Sequence, residues 1–457
     1  MADFGNYIAK GKKGHLIGVG GVSMSPLAEV LSGFGLKLTG SDMAESEKTE
    51  HLRSLGIDVI IGHAAENLAP DVDFVVRTAA VHDDNPEIMA ARELGIPVFE
   101  RTQAWGAIMR DYKNALCISG THGKTTTTSM CTHILMAARR DPTIMLGGTL
   151  PLLKANHRVG AGDTIVMESC EYYNSFHAFF PTIAVILNIE ADHLDFFKDL
   201  DDVKNSFRCF ADLVPEDGCI IANVDDENTM DALTPLNRPL LTFGLGQCAV
   251  VRGENLVSRG GKTDFDVIYD GKLFTHVVLN VPGRHNVMNA LAACASAICL
   301  GVPGEAVAEG LAAFSGAGRR FEFKGSCRGA DVYDDYAHHP GELKALFDAV
   351  EALDYSRVIV AFQPHTYTRT RALFDNFVEQ LRRPTLTYLA EIYAAREKSI
   401  AGVSSQELAK KVPNSRFFPT LDSLEAALLE LAAPGDIILT VGAGDIFKVG
   451  EALVRAN

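Results

Sequence analysis

The chain has 457 residues, 47% hydrophobic and 22% charged, with a formal net charge of −16. That length exceeds one ordinary core, so roughly three domains are expected, and the composition is that of a soluble globular protein. The acidic balance argues against a nucleic-acid or membrane partner, and no apolar run is long enough to cross a bilayer. Met1 to Lys13 lacks the apolar stretch of a signal sequence. Nine cysteines without a Cys-x-x-Cys pair read as small core residues in a reducing compartment. A cytoplasmic chain, monomer or homodimer, is the expectation.

Short β-branched runs alternate with helical patterns throughout, as in parallel sheets covered by helices. The predicted fold class is therefore α/β, in three domains. A first series opens at His15-Leu16-Ile17-Gly18 and continues through Val59-Ile60-Ile61, Phe74-Val75-Val76 and Val98-Phe99. It closes at the polar junction Asp111-Tyr112-Lys113-Asn114, which bounds a domain of residues 1–113. A second, 114–317, runs from the strand Ala115–Ser119 through Thr164–Met167 and Ile183–Leu187 to an Ala-rich helix from Asn286. After Ser315-Gly316-Ala317-Gly318 a third, 318–457, has strands at Asp331–Tyr333, Val358–Phe362 and Ile437–Val441.

In the first series, Gly18-Val19-Gly20-Gly21-Val22-Ser23 follows a strand and precedes the apolar helix Leu27–Leu31, and Asp42 ends the next strand. A dinucleotide fold places its ribose-binding acid there, so an NAD-dependent oxidoreductase is one reading. Ser23 stands in place of the third glycine, which favours a different phosphorylated ligand; a turn used only for tight packing is the plain alternative. In the second series, the strand Ala115–Ser119 is followed by the turn Gly120-Thr121-His122-Gly123-Lys124-Thr125 and a helix from Thr126. A turn without side-chain bulk lets backbone N–H groups converge on a phosphate, and the helix start adds partial positive charge. Lys124 would reach the β- and γ-phosphates of ATP and the Thr125 hydroxyl would join a Mg²⁺ shell. The strict P-loop pattern fails at Ile118, which occupies the place of its first glycine. Glu168 and His193 follow further strands and are candidate metal ligands on that account; a helix cap and a turn residue are their plain alternatives.

Three segments occur in order: Gly120 to Thr126, Asn188-Ile189-Glu190-Ala191-Asp192-His193-Leu194-Asp195, and Gly283-Arg284-His285-Asn286-Val287-Met288-Asn289-Ala290. Together they resemble the Mur ligases, the amide-forming enzymes of peptidoglycan precursor synthesis. Gly18 to Ser25, Asp334-Asp335-Tyr336-Ala337-His338-His339-Pro340 and Gln363-Pro364-His365-Thr366-Tyr367-Thr368-Arg369-Thr370 point to the branch that adds L-alanine to UDP-N-acetylmuramate. The resemblance spans essentially the whole chain. It implies a Rossmann-like UDP-binding domain, a central P-loop ATPase domain and a C-terminal Rossmann-like domain that binds the amino acid.

Carried onto these residues, the resemblance gives Gly120, Thr121, His122, Gly123, Lys124, Thr125 and Thr126 to the nucleotide phosphates, with His285, Asn286 and Asn289 at the nucleotide. Thr125, Glu168 and His193 become the metal ligands. Gly18, Gly20, Gly21, Ser23 and Asp42 serve the UDP moiety. Arg320 reaches the reacting phosphate from across the domain boundary, and His338, His339 and Arg369 line the amino-acid cleft. Lys124, His193, Arg320 and His338 are the implied catalytic group. His338 or His339 is the candidate base for the amine proton, although one of them could instead cap the helix that begins near Pro340. Glu171 is a candidate for the ammonium group or for helix starting.

Two positions depart from the family pattern. Thr366 stands where an arginine is usual, and Arg208 where sibling enzymes carry a carbamoylated lysine. The rivals are a recycling ligase that joins a tripeptide to the same sugar nucleotide, the NAD-dependent oxidoreductase and a non-enzymatic nucleotide switch. Closure of the third domain over the second is expected, because a reactive acyl phosphate must be kept from water.

Overall fold

The computed structural model describes residues 3–78, 80–395 and 397–456. Its strands form three sheets. The first joins β1 (Lys13–Ile17), β2 (Lys37–Asp42), β3 (Asp58–Ile61), β4 (Phe74–Arg77) and β5 (Val98–Glu100) in the order β3-β2-β1-β4-β5, all parallel. The strand order reverses between β1 and β4. Ligands of open α/β sheets collect at such a reversal, beyond the carboxyl ends of the strands, and the glycine turn after β1 lies there.

The second sheet has ten strands: β6 (Asn114–Ser119), β7 (Thr143–Leu150), β8 (Ala155–Arg158), β9 (Thr164–Glu168), β10 (Ile183–Ile186), β11 (Cys219–Asn223), β12 (Leu240–Gly244), β13 (Val251–Arg259), β14 (Lys262–Tyr269) and β15 (Lys272–Leu279). Its order is β15-β14-β13-β12-β11-β10-β6-β9-β7-β8. β6 lies between β10 and β9, with Ile118 opposite Glu168 and Ser119 opposite Ile186. That register brings the carboxyl ends of three strands to one level, around the phosphate loop. Both ends of this sheet depart from the all-parallel expectation: β13, β14 and β15 are antiparallel, as are β7 and β8. The turns Gly260-Gly261 and Asp270-Gly271 have positive φ, the conformation that tight hairpins require.

The third sheet joins β16 (Glu322–Cys327), β17 (Ala330–Asp335), β18 (Arg357–Phe362), β19 (Leu386–Ala390), β20 (Ser415–Phe418) and β21 (Asp436–Val441) in the order β16-β17-β21-β18-β19-β20. Only β16 runs antiparallel to its neighbour. Residues Tyr336–His339 leave β17, and Gln363–Arg369 leave β18, at the same edge.

The helix Lys124–Ala137 packs against the helices Arg284–Cys299 and Gly304–Ala313. Its threonine-rich start is buried, and Thr128, Ser129 and Thr132 hydrogen-bond the carbonyls of Lys124, Thr125 and Thr128. Those back-bonds satisfy hydroxyls that have no access to water. The cysteines correct the composition-based reading. Cys117, Cys131, Cys294 and Cys327 are buried, but Cys170, Cys209 and Cys248 are exposed, and Cys219 and Cys299 are intermediate. Among the described residues no helix is long and apolar enough to cross a membrane.

Candidate active site

The phosphate loop is built by backbone conformation. Gly123 has φ +85° and caps the helix that starts at Lys124. A Cβ there would lie 2.4 Å from Asn289 Oδ1, so a side chain is excluded both by φ and by space. Asn188 Oδ1 accepts from the His122 N–H at 2.8 Å and Asn188 Nδ2 donates to the His122 carbonyl at 3.1 Å, pinning the turn to the segment after β10. Lys124 Nζ donates to the carbonyls of Gly120 and Thr121 and sits 3.0 Å from Glu171 Oε2. Burial opposes the ammonium charge most strongly of any single influence, but Glu171 together with the neighbouring Cys170 and Glu168 outweighs it and raises the lysine pKa. Glu171, the candidate for an ammonium group, is 2% exposed and pairs here with the ammonium of Lys124.

Thr125 Oγ1 donates to Glu168 Oε1 at 3.0 Å, and Gly147 N–H donates to Glu168 Oε2 at 2.7 Å. Glu168 is therefore no helix cap; it joins the loop to the neighbouring strand ends. His193 has φ +54° and accepts the Phe196 and Phe197 N–H groups at its carbonyl, as a turn residue does. Its ring stacks on Tyr172 with centroids 4.3 Å apart, and Nε2 lies 3.9 Å from Glu171 Oε1. Burial, helped by the charges of Arg369 and Lys124, lowers its pKa against the pull of Asp192 and Glu171. A neutral imidazole of this kind has a lone pair to give. A hydroxyl, a carboxylate and an imidazole are the donor set available, and the two oxygens suit a magnesium ion.

The third domain meets this loop through charged side chains. Arg369 Nη2 donates to Asp192 Oδ1 at 3.0 Å, so the arginine expected in the amino-acid cleft forms a largely buried bridge to the central domain. His338 Nδ1 donates to the Tyr336 carbonyl at 3.0 Å and lies 3.1 Å from Glu342 Oε2. His339 is the residue that caps the helix Pro340–Glu351, its Nδ1 accepting the Gly341 N–H at 3.2 Å. Arg320 Nη1 lies 3.4 Å from Glu342 Oε1. Thr366 adopts φ +65° and ψ 146°, a region that a β-branched residue rarely enters, while its N–H donates to the Tyr393 carbonyl. Arg208 Nε donates to the Ala232 carbonyl at 2.9 Å.

A cavity of about 270 Å³ is lined by His122, Gly123, Thr126, His285, Asn286, Asn289 and Arg320, together with Asn223, Phe243 and Phe314. Desolvation in its wall, then the charge of Arg320, pushes His285 down to about 4. Asn286 Nδ2 donates to the Pro282 carbonyl, and Asn289 links Asn286 to Thr127. A second cavity, about 180 Å³, has Ser23, Arg101 and Trp105 on one side and Gly147 and Glu168 on the other. Ser23 Oγ accepts from Arg101, and its carbonyl accepts the Trp105 Nε1–H at 3.3 Å. Gly18 has φ +77°, and Gly21 N–H closes the turn onto the Gly18 carbonyl at 3.1 Å. Asp42 Oδ2 accepts the Gly20 N–H at 2.8 Å, so one of its carboxylate oxygens holds the turn. Sequence reasoning missed Arg101, Trp105, Asn223, Phe243 and Phe314, which belong to no recognisable motif. It also missed Glu190 and Glu342, although both lie within or next to quoted segments.

The geometry agrees with comparisons to known proteins. Residues 13–113 match a model described as Mur ligase family, catalytic domain; residues 118–297 match the Mur ligase middle domain, and residues 319–444 the Mur ligase glutamate ligase domain. The chain is 46% identical over 451 residues to a UDP-N-acetylmuramate–L-alanine ligase of Clostridium novyi, covering 98% of each. It is 43% identical over 455 residues to the enzyme so named from Caldanaerobacter subterraneus, covering 98% of this chain and 99% of that one. A crystal structure of UDP-N-acetylmuramate-alanine ligase from Thermotoga maritima superposes with a TM-score of 0.80 at 30% identity, over 97% of this chain and 98% of the other. A murein peptide ligase from Psychrobacter arcticus shares the fold, with a TM-score of 0.71 at 22% identity over 98% of both chains. With three domain models in register along the sequence and near-complete coverage by these relatives, the chain belongs to the Mur ligase family.

Proposed function

We propose that the chain joins L-alanine to the lactyl carboxylate of UDP-N-acetylmuramate at the expense of ATP, in peptidoglycan precursor synthesis. The observation that carries this reading is that the phosphate loop lines the larger cavity and is hydrogen-bonded to the wall of the smaller. Thr126 lines the larger one, and its neighbour Thr125 is hydrogen-bonded to Glu168, which lines the smaller. A nucleotide in the larger cavity and a sugar nucleotide reaching through the smaller would meet at Lys124 and Thr125.

The chemistry needs that meeting point. An amine does not displace oxide from a carboxylate in neutral water, so the carboxylate oxygen first takes the γ-phosphoryl group. The alanine amine then adds to the acyl carbon, and phosphate leaves from the tetrahedral intermediate. Lys124 leaves its loop carbonyls to hold the phosphates, and Arg320 places a further positive charge against them, offsetting the repulsion between two anions. Thr125, Glu168 and His193 would hold Mg²⁺, which when bound supplies Lewis-acid stabilisation of phosphate charge. His338 is the candidate base for the amine proton, fixed in orientation by the Tyr336 carbonyl and Glu342. His339 is a cap, so it positions the helix start instead. The Arg369–Asp192 bridge holds the third domain over the second and limits the access of water to the acyl phosphate. Such a reaction, with two nucleotide substrates, fits the cytoplasmic location expected from the sequence.

The test is phosphate release from ATP with UDP-N-acetylmuramate and Mg²⁺, adding L-alanine, glycine or the murein tripeptide singly. Release with L-alanine, and a product mass raised by one alanyl residue, is the expected result. Turnover only with tripeptide would replace this reading with the recycling reaction.

A further inference from the structure

Two cysteines that the proposed reaction does not use lie in sulfur contact. The Cys299 S–H donates to Cys219 Sγ at 3.5 Å, although the residues are 80 positions apart. Cys219 opens β11, and Cys299 closes the helix Arg284–Cys299 that packs on it. Regular structure fixes both backbones. Cys219 stands opposite Ile183 in the parallel ladder, and its N–H donates to the Thr182 carbonyl at 3.0 Å. The helix ends on bonds from the Leu300 N–H to the Ser296 carbonyl and from the Gly301 N–H to the Ile298 carbonyl. The sulfur contact therefore follows from how the helix packs on the sheet, not from a loop.

Exposure and protonation set the pair apart from the core cysteines. Cys117, Cys131, Cys294 and Cys327 are buried, and desolvation raises their thiol pKa. Cys219 and Cys299 are only half-buried, so a small reagent reaches them from solvent. The hydrogen bond from Cys299 lowers the Cys219 pKa against the pull of burial. The same bond, aided by burial, raises that of Cys299. One sulfur is thus the readier thiolate and its neighbour holds the proton. An attacking thiol beside a resolving one has this asymmetry.

We propose that Cys219 and Cys299 are a reversible disulfide site, closed by exchange with a low-molecular-weight disulfide. The Cys219 thiolate attacks one sulfur of the small disulfide, the S–S bond of that molecule breaks, and one small thiolate leaves. Cys299 then gives up its proton and attacks Cys219 Sγ, expelling the second small thiolate. Two protein thiols are oxidised, one small disulfide is reduced, and the two cysteine protons end on the two released thiols. Bond formation brings the sulfurs to about 2.05 Å, a movement of side chains within fixed elements. In a reducing pool the pair rests as two thiols. Once closed, the link joins β11, whose last residue Asn223 lines the larger cavity, to the helix that places His285, Asn286 and Asn289 in the same wall. Both elements reach the cavity at their opposite ends, so the link braces those walls without entering the cavity.

The experiment incubates the native full-length protein with oxidised glutathione, blocks the remaining thiols with N-ethylmaleimide and maps the peptides by mass spectrometry. A linked pair of peptides carrying Cys219 and Cys299, lighter by two hydrogens than the separate thiols and released by dithiothreitol, is the expected result. The oxidised protein should also unfold at least about 5 °C higher, because the bridge closes a long loop in the unfolded chain. Cys219→Ser and Cys299→Ser should each lose both the link and the rise in midpoint. The proposal is overturned if Cys219 and Cys299 are recovered as maleimide adducts while the exposed cysteines have reacted. Stable glutathione adducts on both residues, or a link from either to a different cysteine, would overturn it equally.

Discussion

Lys124→Ala should destabilise the central domain as well as abolish turnover, and the size of the effect follows from the Lys124–Glu171 pair. The two side chains are 14% and 2% exposed, with Nζ 3.0 Å from Oε2. At an effective dielectric of 20, a pair about 3 Å apart attracts by roughly 5–6 kcal/mol, a sum largely offset by what both ions lose on leaving water. Removing the ammonium alone strands a carboxylate with almost no access to solvent, and breaking a buried pair in this way costs about 3–5 kcal/mol. For a domain of this size each kcal/mol moves the unfolding midpoint by about 2–4 °C, so a fall of roughly 6–20 °C is expected. Adding Glu171→Gln removes the stranded charge, and the double variant should recover more than half of the loss while remaining inactive. Differential scanning calorimetry reads both variants, with the central-domain transition identified as the one that ATP shifts in the parent protein. A Lys124→Ala midpoint within about 2 °C of the parent, or losses that simply add in the double variant, would refute the account of the pair as desolvated.

Other substitutions test the loop, the domain contact and one buried acid. Gly123→Ala puts a Cβ 2.4 Å from Asn289 Oδ1 at φ +85° and should weaken ATP binding at least tenfold by calorimetric titration, about 1.4 kcal/mol or more. Asp192→Asn removes the charge that holds Arg369 at 3.0 Å; small-angle scattering should show a larger radius of gyration, and an unchanged radius would mean that the bridge does not hold the domains together. Burial pushes Asp335 up to about 6, against Arg320 and the Ala337 and Phe321 N–H groups. A carboxyl whose folded pKa is raised binds its proton more tightly in the folded state, so its ionisation costs stability as pH rises from about 4 to about 6. Asp335→Asn cannot ionise, so its stability relative to the parent should improve by up to about 3 kcal/mol between those limits. Urea unfolding across that range measures the difference, and a pH-independent difference would refute the raised pKa.

Local sequence carried the strand-and-helix alternation, because β-branched runs and glycine turns act over a few residues. The phosphate loop was legible for the same reason: strand, glycine turn and helix start are contiguous from Ala115 to Thr126. The hairpins of β13, β14 and β15 went unread although Gly260-Gly261 and Asp270-Gly271 mark their turns, because their one-sided burial is weaker than the signal of the buried strands. Tertiary structure alone decided which charges are spoken for. Glu171 is paired with Lys124 and Arg369 with Asp192, 177 positions away; Asp42 holds the Gly20 N–H, and His339, not His338, caps its helix. The second cavity likewise depends on Arg101 meeting Ser23, 78 positions distant. Periodicity and turn chemistry are properties of neighbours along the chain, whereas an ion pair or a cavity wall depends on distances that exist only once the sheets have packed.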